Sequence, residues 1–384
     1  MGPDSLVRQS GWTLSHFACK ADRVPVLLVL ASLEGGGAER VMVTIAQHLD
    51  RKRFEPHMAV VNATGPLLND VPLDVELHDL KARRARYIVP ALLRLIWQVR
   101  PVAVLSTASH INVPVLAMRR LLPHATKVFV RENSTPSAEV AAIGGLWLKR
   151  LLYRQFYRKA DAVICQSEVM LNDLCDRFDV PRKTARRIYN PVDIDRIRSL
   201  ADAGANPFSS PGPHLVASGR LEHVKGFDLL LEAMVYVREA FPRAQLTVLG
   251  TGSLEQELRD RSARLNLTHA VSFVGFFHNP FPYYLNADLF VLSSRYEGLP
   301  NVMLEAMALE TPVVATDCPG GIREIAEGWP NCRLALPQSV SSLAAAVIAS
   351  LREGWRSVPL SPDCRFNQTS LPNAVRAYES LLLS

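Results

Sequence analysis

Short runs of apolar residues recur along the whole chain, and longer segments with helical spacing separate them. The runs that predict strands are residues 24–30, 58–61, 103–106, 127–130 and 162–165, followed in the second half by residues 215–218, 245–249, 271–276, 289–292 and 313–315. Strands that alternate with helices in this way are typical of a parallel α/β sheet. The arrangement occurs in both halves of the chain, which predicts two α/β units.

A segment rich in glycine, alanine, proline and serine, residues 203–213, lies between the two halves and has the composition of a linker. A length of 384 residues is enough for two or three domains, each with its own core. The predicted parts are a loose N-terminal segment (residues 1–22), an N-terminal Rossmann-like domain (23–190), a linker (191–213), a C-terminal Rossmann-like domain (214–366) and a C-terminal helix (367–384) that packs back on the N-terminal domain.

The formal net charge of +6 is unevenly distributed along the chain. Residues 1–190 contain 27 lysines and arginines against 17 aspartates and glutamates, whereas the remaining residues contain 16 against 20. A basic N-terminal half suggests an anionic partner there, such as acidic lipid, a pyrophosphate-linked acceptor or nucleic acid.

Two basic segments that also contain tryptophan, tyrosine and leucine, residues 81–100 and 146–159, are predicted helices that fit two environments. They can lie in a membrane interface, with basic side chains on lipid phosphates. They can equally pack their apolar faces in the core and leave their charges in water. No apolar run is long enough to span a bilayer, and the N-terminus lacks the apolar region of a signal peptide. The expected location is therefore the cytoplasm, with peripheral attachment to the inner face of the cytoplasmic membrane left open.

The most informative stretch, residues 288–317, predicts a strand, a polar loop, a helix with Pro300 in its first turn, and a second strand. Glu297 and Glu305 lie on either side of the junction between loop and helix. A helix N-terminus suits phosphate, and nearby carboxylates suit hydroxyl donors, so the combination describes a nucleotide-sugar site. The alternative is structural, because Ser294-x-x-Glu297 also matches a helix capping box and Glu305 could be a solvated helix residue.

Two other loops follow predicted strands and have residues suited to an anion. Gly35, Gly36 and Gly37 precede a helix, and three glycines at a helix start indicate close approach of a ligand. Their spacing is not that of the dinucleotide-binding fingerprint. Arg220 and Lys225 lie five residues apart in a loop, where they can converge on one anion or remain two solvated bases.

Taken together, these segments resemble the retaining glycosyltransferases of family four, which have the GT-B fold. The matching segments, in family order, are residues 36–40 (Gly-Gly-Ala-Glu-Arg), 190–193 (Asn-Pro-Val-Asp), 219–226 (Gly-Arg-Leu-Glu-His-Val-Lys-Gly) and 297–305, which opens Glu-Gly-Leu-Pro-Asn and ends in glutamate. The resemblance implies two Rossmann-like domains facing each other across a cleft, with the donor nucleotide in the C-terminal domain and the acceptor in the N-terminal domain.

The resemblance also implies roles for individual residues. The implied catalytic residues are Glu297, on the donor sugar hydroxyls, and Arg220 and Lys225, on the donor diphosphate. The implied donor-binding residues are Gly219, Gly250, Gly298, Leu299, Pro300, Asn301, Val302 and Glu305, the last on the ribose. The expected acceptor and phosphate loop residues are Gly35, Gly36, Gly37, His110, Arg131 and Asn133, although His110 could equally be structural; Glu39 and Arg40 are expected to form an ion pair.

We therefore expect a retaining hexosyl- or N-acetylhexosaminyltransferase that acts in bacterial surface glycan synthesis, including lipopolysaccharide. The resemblance implies transfer without a bound metal, and the sequence agrees, because no D-x-D motif stands where a Mg²⁺ bridge would be needed. No cofactor is expected, since a UDP- or GDP-sugar enters as substrate. The expected partners are that donor, a lipid-linked or polysaccharide acceptor and an anionic membrane surface, but not nucleic acid. The alternatives are a GT-B nucleotide-sugar epimerase, a non-catalytic sugar-nucleotide-binding protein and an NAD-dependent oxidoreductase.

Overall fold

A computed structural model of the chain describes residues 23–354, apart from positions 83, 85, 86 and 145, and residues 365–384. The predicted loose segment at residues 1–22 lies outside the described residues, as does the end of the predicted C-terminal domain at residues 355–364.

The strands form two parallel sheets. The first sheet contains β1 (Val24–Leu30), β2 (Phe54–Val60), β3 (Glu76–Asp79), β4 (Ala103–Thr107), β5 (Lys127–Arg131), β6 (Ala162–Cys165) and β7 (Ala185–Arg187). The second contains β8 (His214–Ser218), β9 (Gln245–Leu249), β10 (Val271–Gly275), β11 (Leu289–Leu292), β12 (Val313–Thr316) and β13 (Cys332–Ala335). Their orders are β3-β2-β1-β4-β5-β6-β7 and β10-β9-β8-β11-β12-β13.

In each sheet the order in which successive strands are added reverses at one point, and the candidate site lies beside that point. The chain builds outward from β1 to β3 and then returns to β4 on the other side of β1; β8 and β11 repeat the arrangement. In such open sheets a crevice forms at the carboxyl ends of the strands beside the reversal, where ligands bind. The predicted fold class, two Rossmann-like units with parallel sheets, is confirmed.

Helices cover both faces of each sheet. Those of the first half are α1 (Gly37–His48), α2 (Val89–Val99), α3 (Ser109–Ala117), α4 (Pro136–Ile143), α5 (Leu146–Phe156), α6 (Glu168–Phe178) and α7 (Ile194–Asp202). Those of the second half are α8 (Phe227–Ala240), α9 (Glu255–Arg264), α10 (Phe281–Leu285), α11 (Asn301–Ala308), α12 (Ile322–Ala326), α13 (Val340–Glu353) and α14 (Leu371–Leu382). None of the described helices is long and apolar enough to cross a bilayer.

Burial on both faces explains the unbroken apolar runs of the central strands. In β1, Leu27 and Val29 belong to one apolar cluster, and Val26 and Leu28 belong to the cluster on the opposite face. A strand that is covered on both sides has no polar face, so its sequence does not alternate. Edge strands are less completely covered and can contain polar residues. The strands β3, β7 and β13 are of this kind, so the search for apolar runs did not predict them.

Two predicted helices differ from the observed ones. The helix expected at residues 81–100 begins only at Val89, because Pro90 lacks a backbone N–H and fits a first turn but not a helix interior. The helix expected at residues 146–159 ends at Phe156, and a 3₁₀ turn, Tyr157–Lys159, follows it.

The chain crosses back to the first domain at its end. Glu379 on α14 accepts a hydrogen bond from the backbone N–H of Asp50 (2.8 Å), and Tyr378 packs in the core cluster of β1. The predicted linker, residues 191–213, contains α7, whose Ile197 and Ala201 pack in a core cluster of the second domain. The two domains are therefore joined by packed elements as well as by the chain connection.

Candidate functional site

The candidate site lies where the loops after β8 and β11 meet. The loop after β8 contains Arg220 and Lys225, and the loop after β11 contains Glu297. Because β8 and β11 are neighbours at the reversal of the second sheet, these loops share its carboxyl edge. Lys225 and Glu297 are thus brought together although 72 positions of the chain separate them.

A lysine–glutamate pair forms the centre of the site. Lys225 Nζ lies 2.6 Å from Glu297 Oε1, and the Ser294 hydroxyl donates to the same oxygen at 2.6 Å. Glu297 is only 8% exposed, so the two donors compensate for the water that its carboxylate has lost. The Arg220 side chain is exposed, and its guanidinium makes no hydrogen bond or ion pair within the part of the chain that the structure describes. Its charge can therefore meet an anion from solvent.

Two of the predicted donor-binding glycines support the loop backbone. Gly219 and Gly250 have φ values of +155° and +125°, in the region that side chains disfavour. A Cβ on Gly250 would overlap the carbonyl oxygen of Gly219. Close packing of the two loops therefore requires glycine at position 250.

Glu305 lies on α11 and faces the other domain. It is 9% exposed, and Arg40 of α1 approaches its Oε1 to 3.8 Å. Burial raises the pKa of Glu305 above its ordinary value, and the nearby Arg40 guanidinium lowers it by less. The expectation that Arg40 pairs with Glu39 is wrong, because Arg40 forms its ion pair with Glu305 on α11 of the other domain. A cavity of about 270 Å³ is lined by Arg40, Glu305 and Asn301, among others.

A chain of hydrogen bonds joins the two domains beside this cavity. Asn301 donates to the carbonyl oxygen of Gly37 (2.8 Å), and Asn190 donates to Asn301 Oδ1 (2.6 Å) and to the carbonyl oxygen of Leu299 (3.1 Å). Arg131 in turn donates to Asn190 Oδ1 at 2.5 Å. The glycine loop, α11 and the end of β5 are therefore held in one arrangement.

Arg131 differs from its predicted role as an acceptor contact. Its side chain is 1% exposed and donates to Asn133 Oδ1 (2.6 Å) and to Thr107 Oγ1 (3.3 Å). A buried guanidinium with these partners positions Asn133 and Asn190 and does not face the open cleft. Arg131 is the last residue of β5, as the predicted strand end requires, but the direction of its side chain depends on packing.

The loop that contains Glu297 also touches the first domain, through residues that sequence reasoning missed. The Thr135 hydroxyl donates to the carbonyl oxygen of Glu297 at 2.9 Å. A Cβ on Gly298 would clash with the carbonyl oxygen of Asn133 and lie 2.7 Å from Gln166 Oε1. Thr135 and Gln166 closely follow β5 and β6, at the carboxyl edge of the first sheet. This position in the sequence was the signal that could have identified them as residues facing the cleft.

Of the predicted acceptor residues, His110 adjoins a second cavity. This cavity, about 400 Å³, is mostly apolar, and its lining includes His110, Val113, Leu148, Leu152 and Tyr153. Burial lowers the pKa of His110, whereas the charges of Glu39 and Glu139 act in the opposite direction. Lys149 is paired with Glu139 at 2.8 Å at the same cavity.

A buried carboxyl group beneath this cavity escaped the sequence analysis. Glu132 accepts hydrogen bonds from the hydroxyls of Tyr153 (2.8 Å) and Tyr157, and from Asn112 (3.1 Å). Burial raises the pKa of Glu132, and the Lys149 charge and the tyrosine hydrogen bonds lower it by less. This network fixes α5 to the end of β5.

Two sequence families match the chain, one over each domain. The family described as "Glycosyltransferase Family 4" matches residues 35–196, and the family described as "Glycosyl transferases group 1" matches residues 212–353. The two matches together include the glycine loop, the loop after β8, the loop that contains Glu297, and α11.

Individual relatives extend the comparison. An uncharacterized glycosyltransferase of Methanocaldococcus jannaschii is 30% identical over 250 residues, which are 61% of this chain and 60% of the relative. The N-acetylgalactosamine-N,N'-diacetylbacillosaminyl-diphospho-undecaprenol 4-alpha-N-acetylgalactosaminyltransferase of Campylobacter jejuni is 27% identical over 309 residues, 78% of this chain and 82% of the relative. The match to the first relative thus spans only about 60% of that protein's length.

Solved structures resemble the chain over both domains. The Anabaena protein HepE in complex with UDP-glucose has a TM-score of 0.69 at 19% identity and covers 94% of this chain and 95% of its own. Sucrose-phosphate synthase from Thermosynechococcus elongatus has a TM-score of 0.71 at 19% identity, covering 94% and 97%. Likenesses at this level of identity show the fold.

Proposed function

Because the chain belongs to the family-four glycosyltransferases with the GT-B fold, we propose that it transfers a sugar from a nucleotide-sugar donor to a lipid-linked or polysaccharide glycan, with retention of anomeric configuration. The observation that carries this proposal is the pair formed by Lys225 and Glu297 at the carboxyl edge of the second sheet, with Glu305 on the adjacent α11. This arrangement combines a cation for phosphate with two buried carboxylates for hydroxyl groups.

The donor is proposed to lie along the second sheet. Arg220 and Lys225 offset the negative charge that develops on the departing diphosphate, and preformed charges of this kind cost no reorganisation during the reaction. Glu297 accepts from the hydroxyls of the donor sugar, and Glu305 accepts from the ribose. The backbone of residues 298–301 and the N-terminus of α11 supply N–H groups around the sugar and phosphates.

Transfer is proposed to proceed without a bound metal or cofactor, since the two basic side chains supply the positive charge. Brief EDTA treatment is therefore expected to leave the initial rate of transfer unchanged. Loss of transfer that Mg²⁺ restores and Zn²⁺ does not would contradict this part of the proposal.

The acceptor is proposed to approach the first domain from a membrane surface. The Campylobacter relative is named for a substrate that carries a diphospho-undecaprenol group, and a substrate of that class is our proposal for this chain. The exposed side of α5 supports it, because Trp147 is 73% exposed and Leu151 54% exposed beside Arg150 and Arg154. Aromatic and basic side chains together suit an interface with anionic lipid.

The decisive experiment has two steps. A thermal-shift screen over UDP-sugars, GDP-sugars and NAD identifies the donor, since a ligand that binds the native state raises its melting temperature. The selected α-linked donor is then incubated with polyprenyl-diphosphate-linked oligosaccharides, and the new linkage is read by NMR. An α linkage supports retaining transfer. A β linkage, epimerised donor without transfer, or a shift with NAD alone would overturn the proposal.

A further inference from the structure

Three side chains with metal-binding atoms meet on the outer part of the first sheet, away from the candidate site. His57 lies on β2 opposite Glu76 on the edge strand β3, and His78 follows two residues later on β3. Residues two apart in a strand share a face, so all three side chains project from one side of the sheet. Their ligand atoms all lie within 4.8 Å of one another.

The separations match those expected around a single metal ion. His57 Nδ1 lies 3.2 Å from His78 Nε2 and 3.3 Å from Glu76 Oε2, and His78 Nε2 lies 3.8 Å from Glu76 Oε1. Tetrahedral Zn²⁺ with bonds of about 2.0–2.1 Å holds its ligand atoms roughly 3.3 Å apart. The Glu76 side chain is 67% exposed, so its carboxylate is the ligand with room to adjust toward that geometry.

A hydrogen bond between the two imidazoles accounts for only part of this cluster. His57 Nδ1 faces both an imidazole nitrogen and a carboxylate oxygen at nearly the same distance, and only one proton can lie on that nitrogen. A cation between the three atoms would satisfy all of them together. His57 is 7% exposed, whereas the Glu76 side chain is 67% exposed, so one side of the cluster is open to solvent.

We propose that His57, Glu76 and His78 bind a divalent transition-metal ion, with Zn²⁺ as the matching ion and water as the fourth ligand. Two imidazoles and one carboxylate are a ligand set that Zn²⁺ uses, whereas Mg²⁺ prefers oxygen ligands. The ion would join the four-residue edge strand β3 to β2. The ligands lie within the strands and not at their carboxyl ends, so the ion would lie apart from the candidate site. The proposal is independent of the proposed transferase function.

The test uses the tag-free full chain, freed of metal by a chelator and then titrated with ZnCl₂ by calorimetry. Wild-type protein is expected to bind one more equivalent of Zn²⁺ than the His57→Ala variant, so any binding to cysteines appears in both and cancels. Saturating Zn²⁺ should raise the melting temperature of the wild type by about 2 °C or more, and Mg²⁺ at the same concentration should not.

Two variants make the result specific. Glu76→Gln changes an exposed side chain and should leave the fold intact, yet it removes one ligand and should weaken Zn²⁺ binding by about 10-fold or more. His124→Ala, at an exposed histidine outside the cluster, should bind as the wild type does. Equal Zn²⁺ binding by wild type and Glu76→Gln would remove Glu76 from the ligands and overturn the three-residue site. A wild type without the extra equivalent would show that the histidines form only a hydrogen bond, and would also overturn the proposal. If His57→Ala fails to fold, Glu76→Gln decides.

Discussion

Three buried carboxyl groups lie in and around the candidate site, and each has a different partner. Glu297 is paired directly with Lys225, Glu305 has the more distant Arg40, and Glu132 is held by tyrosine hydroxyls. Burial raises the pKa of both Glu305 and Glu132, because a charged carboxylate is less stable away from water. Burial therefore acts on Glu305 and Glu132 in the same direction, although one lies near a guanidinium and the other accepts from tyrosine hydroxyls.

The first prediction concerns Lys225. Lys225→Ala is expected to lower turnover by on the order of 10²-fold, the scale of losing one preorganised charge contact in the transition state. Initial rates of transfer should be measured after circular dichroism has shown that the variant is folded, because the change also leaves Glu297 without its ion-pair partner. Lys183→Ala, at an exposed lysine, is the matched control and should retain full turnover. Near-normal turnover in folded Lys225→Ala would remove this residue from the donor site.

The second prediction is a pH dependence of donor binding through Glu305. Only the ionised carboxylate accepts hydrogen bonds from both ribose hydroxyls without a competing proton. Since the pKa of Glu305 is raised above the ordinary value of 4.5, the carboxylate is protonated at higher pH than an exposed glutamate is. Donor affinity should therefore be full above the raised pKa and fall as the pH falls through it.

Calorimetry with the nucleotide sugar, at a series of pH values from 4.5 to neutral, measures this dependence. Glu305→Gln should bind the donor more weakly and lose this part of the pH dependence, whereas Glu297→Gln should keep it. An identical pH profile in Glu305→Gln and wild type would show that another group titrates.

At the scale of elements, α5 has two sides with different surroundings. Tyr153 and the adjoining Tyr157 are fully buried and fix the segment to Glu132, while Trp147 and Leu151 are exposed. Apolar side chains of this size on a solvent-exposed helix face are typical of a contact surface when basic residues accompany them.

The third prediction tests this surface. Changing Arg150 and Arg154 of α5 and Arg158 of the following 3₁₀ turn to glutamate should release the protein from vesicles that contain anionic lipid, since each base contributes about 1 kcal/mol near such a surface. Binding of the wild type should weaken as salt rises, because the charges are screened. Vesicle sedimentation measures both effects, and calorimetry should show unchanged donor binding.

A control with the same change in net charge separates this surface from general electrostatics. Three exposed arginines of the second domain, changed together to glutamate, should leave vesicle binding nearly intact; they are Arg243, Arg264 and Arg352. Equal vesicle binding by the α5 variant and the wild type would make α5 an ordinary solvated helix.

At the scale of the molecule, the two domains touch through the loops that form the site. Thr135 and Asn301 both bond across the cleft, and α14 returns to the first domain behind it. The reacting groups of donor and acceptor would therefore be enclosed between two domains whose approach depends on a few close contacts.

The fourth prediction uses one of those contacts. Gly298→Ala places a methyl group against the carbonyl oxygen of Asn133, so the loop should no longer dock on the first domain. We expect a larger radius of gyration in small-angle X-ray scattering and a loss of turnover of at least about tenfold, as misplacement at a reacting centre commonly causes. Ser341→Ala, at an exposed position, is the control. An unchanged radius together with unchanged turnover would show that the loop does not need this contact.

Much of the fold and part of the site could be predicted from local sequence. The strands β1, β6, β9 and β11 were predicted with the bounds that the structure has, because strands buried on both faces are continuously apolar. The loops at the strand ends were also found, since glycines and charged residues directly after an apolar run point to the carboxyl edge of a parallel sheet.

Local sequence was enough to predict two α/β units, the strands that are buried on both faces, and the loops that hold Gly36, Lys225 and Glu297. Three features depend on how distant elements pack: Arg40 faces Glu305, Arg131 is buried, and two histidines of neighbouring strands meet over Glu76. The physical reason is the distance along the chain over which each property is set. Periodicity records whether a position is buried, which is a property of its own element. The partner of a buried polar group depends on how distant elements cross, and no local pattern contains that information.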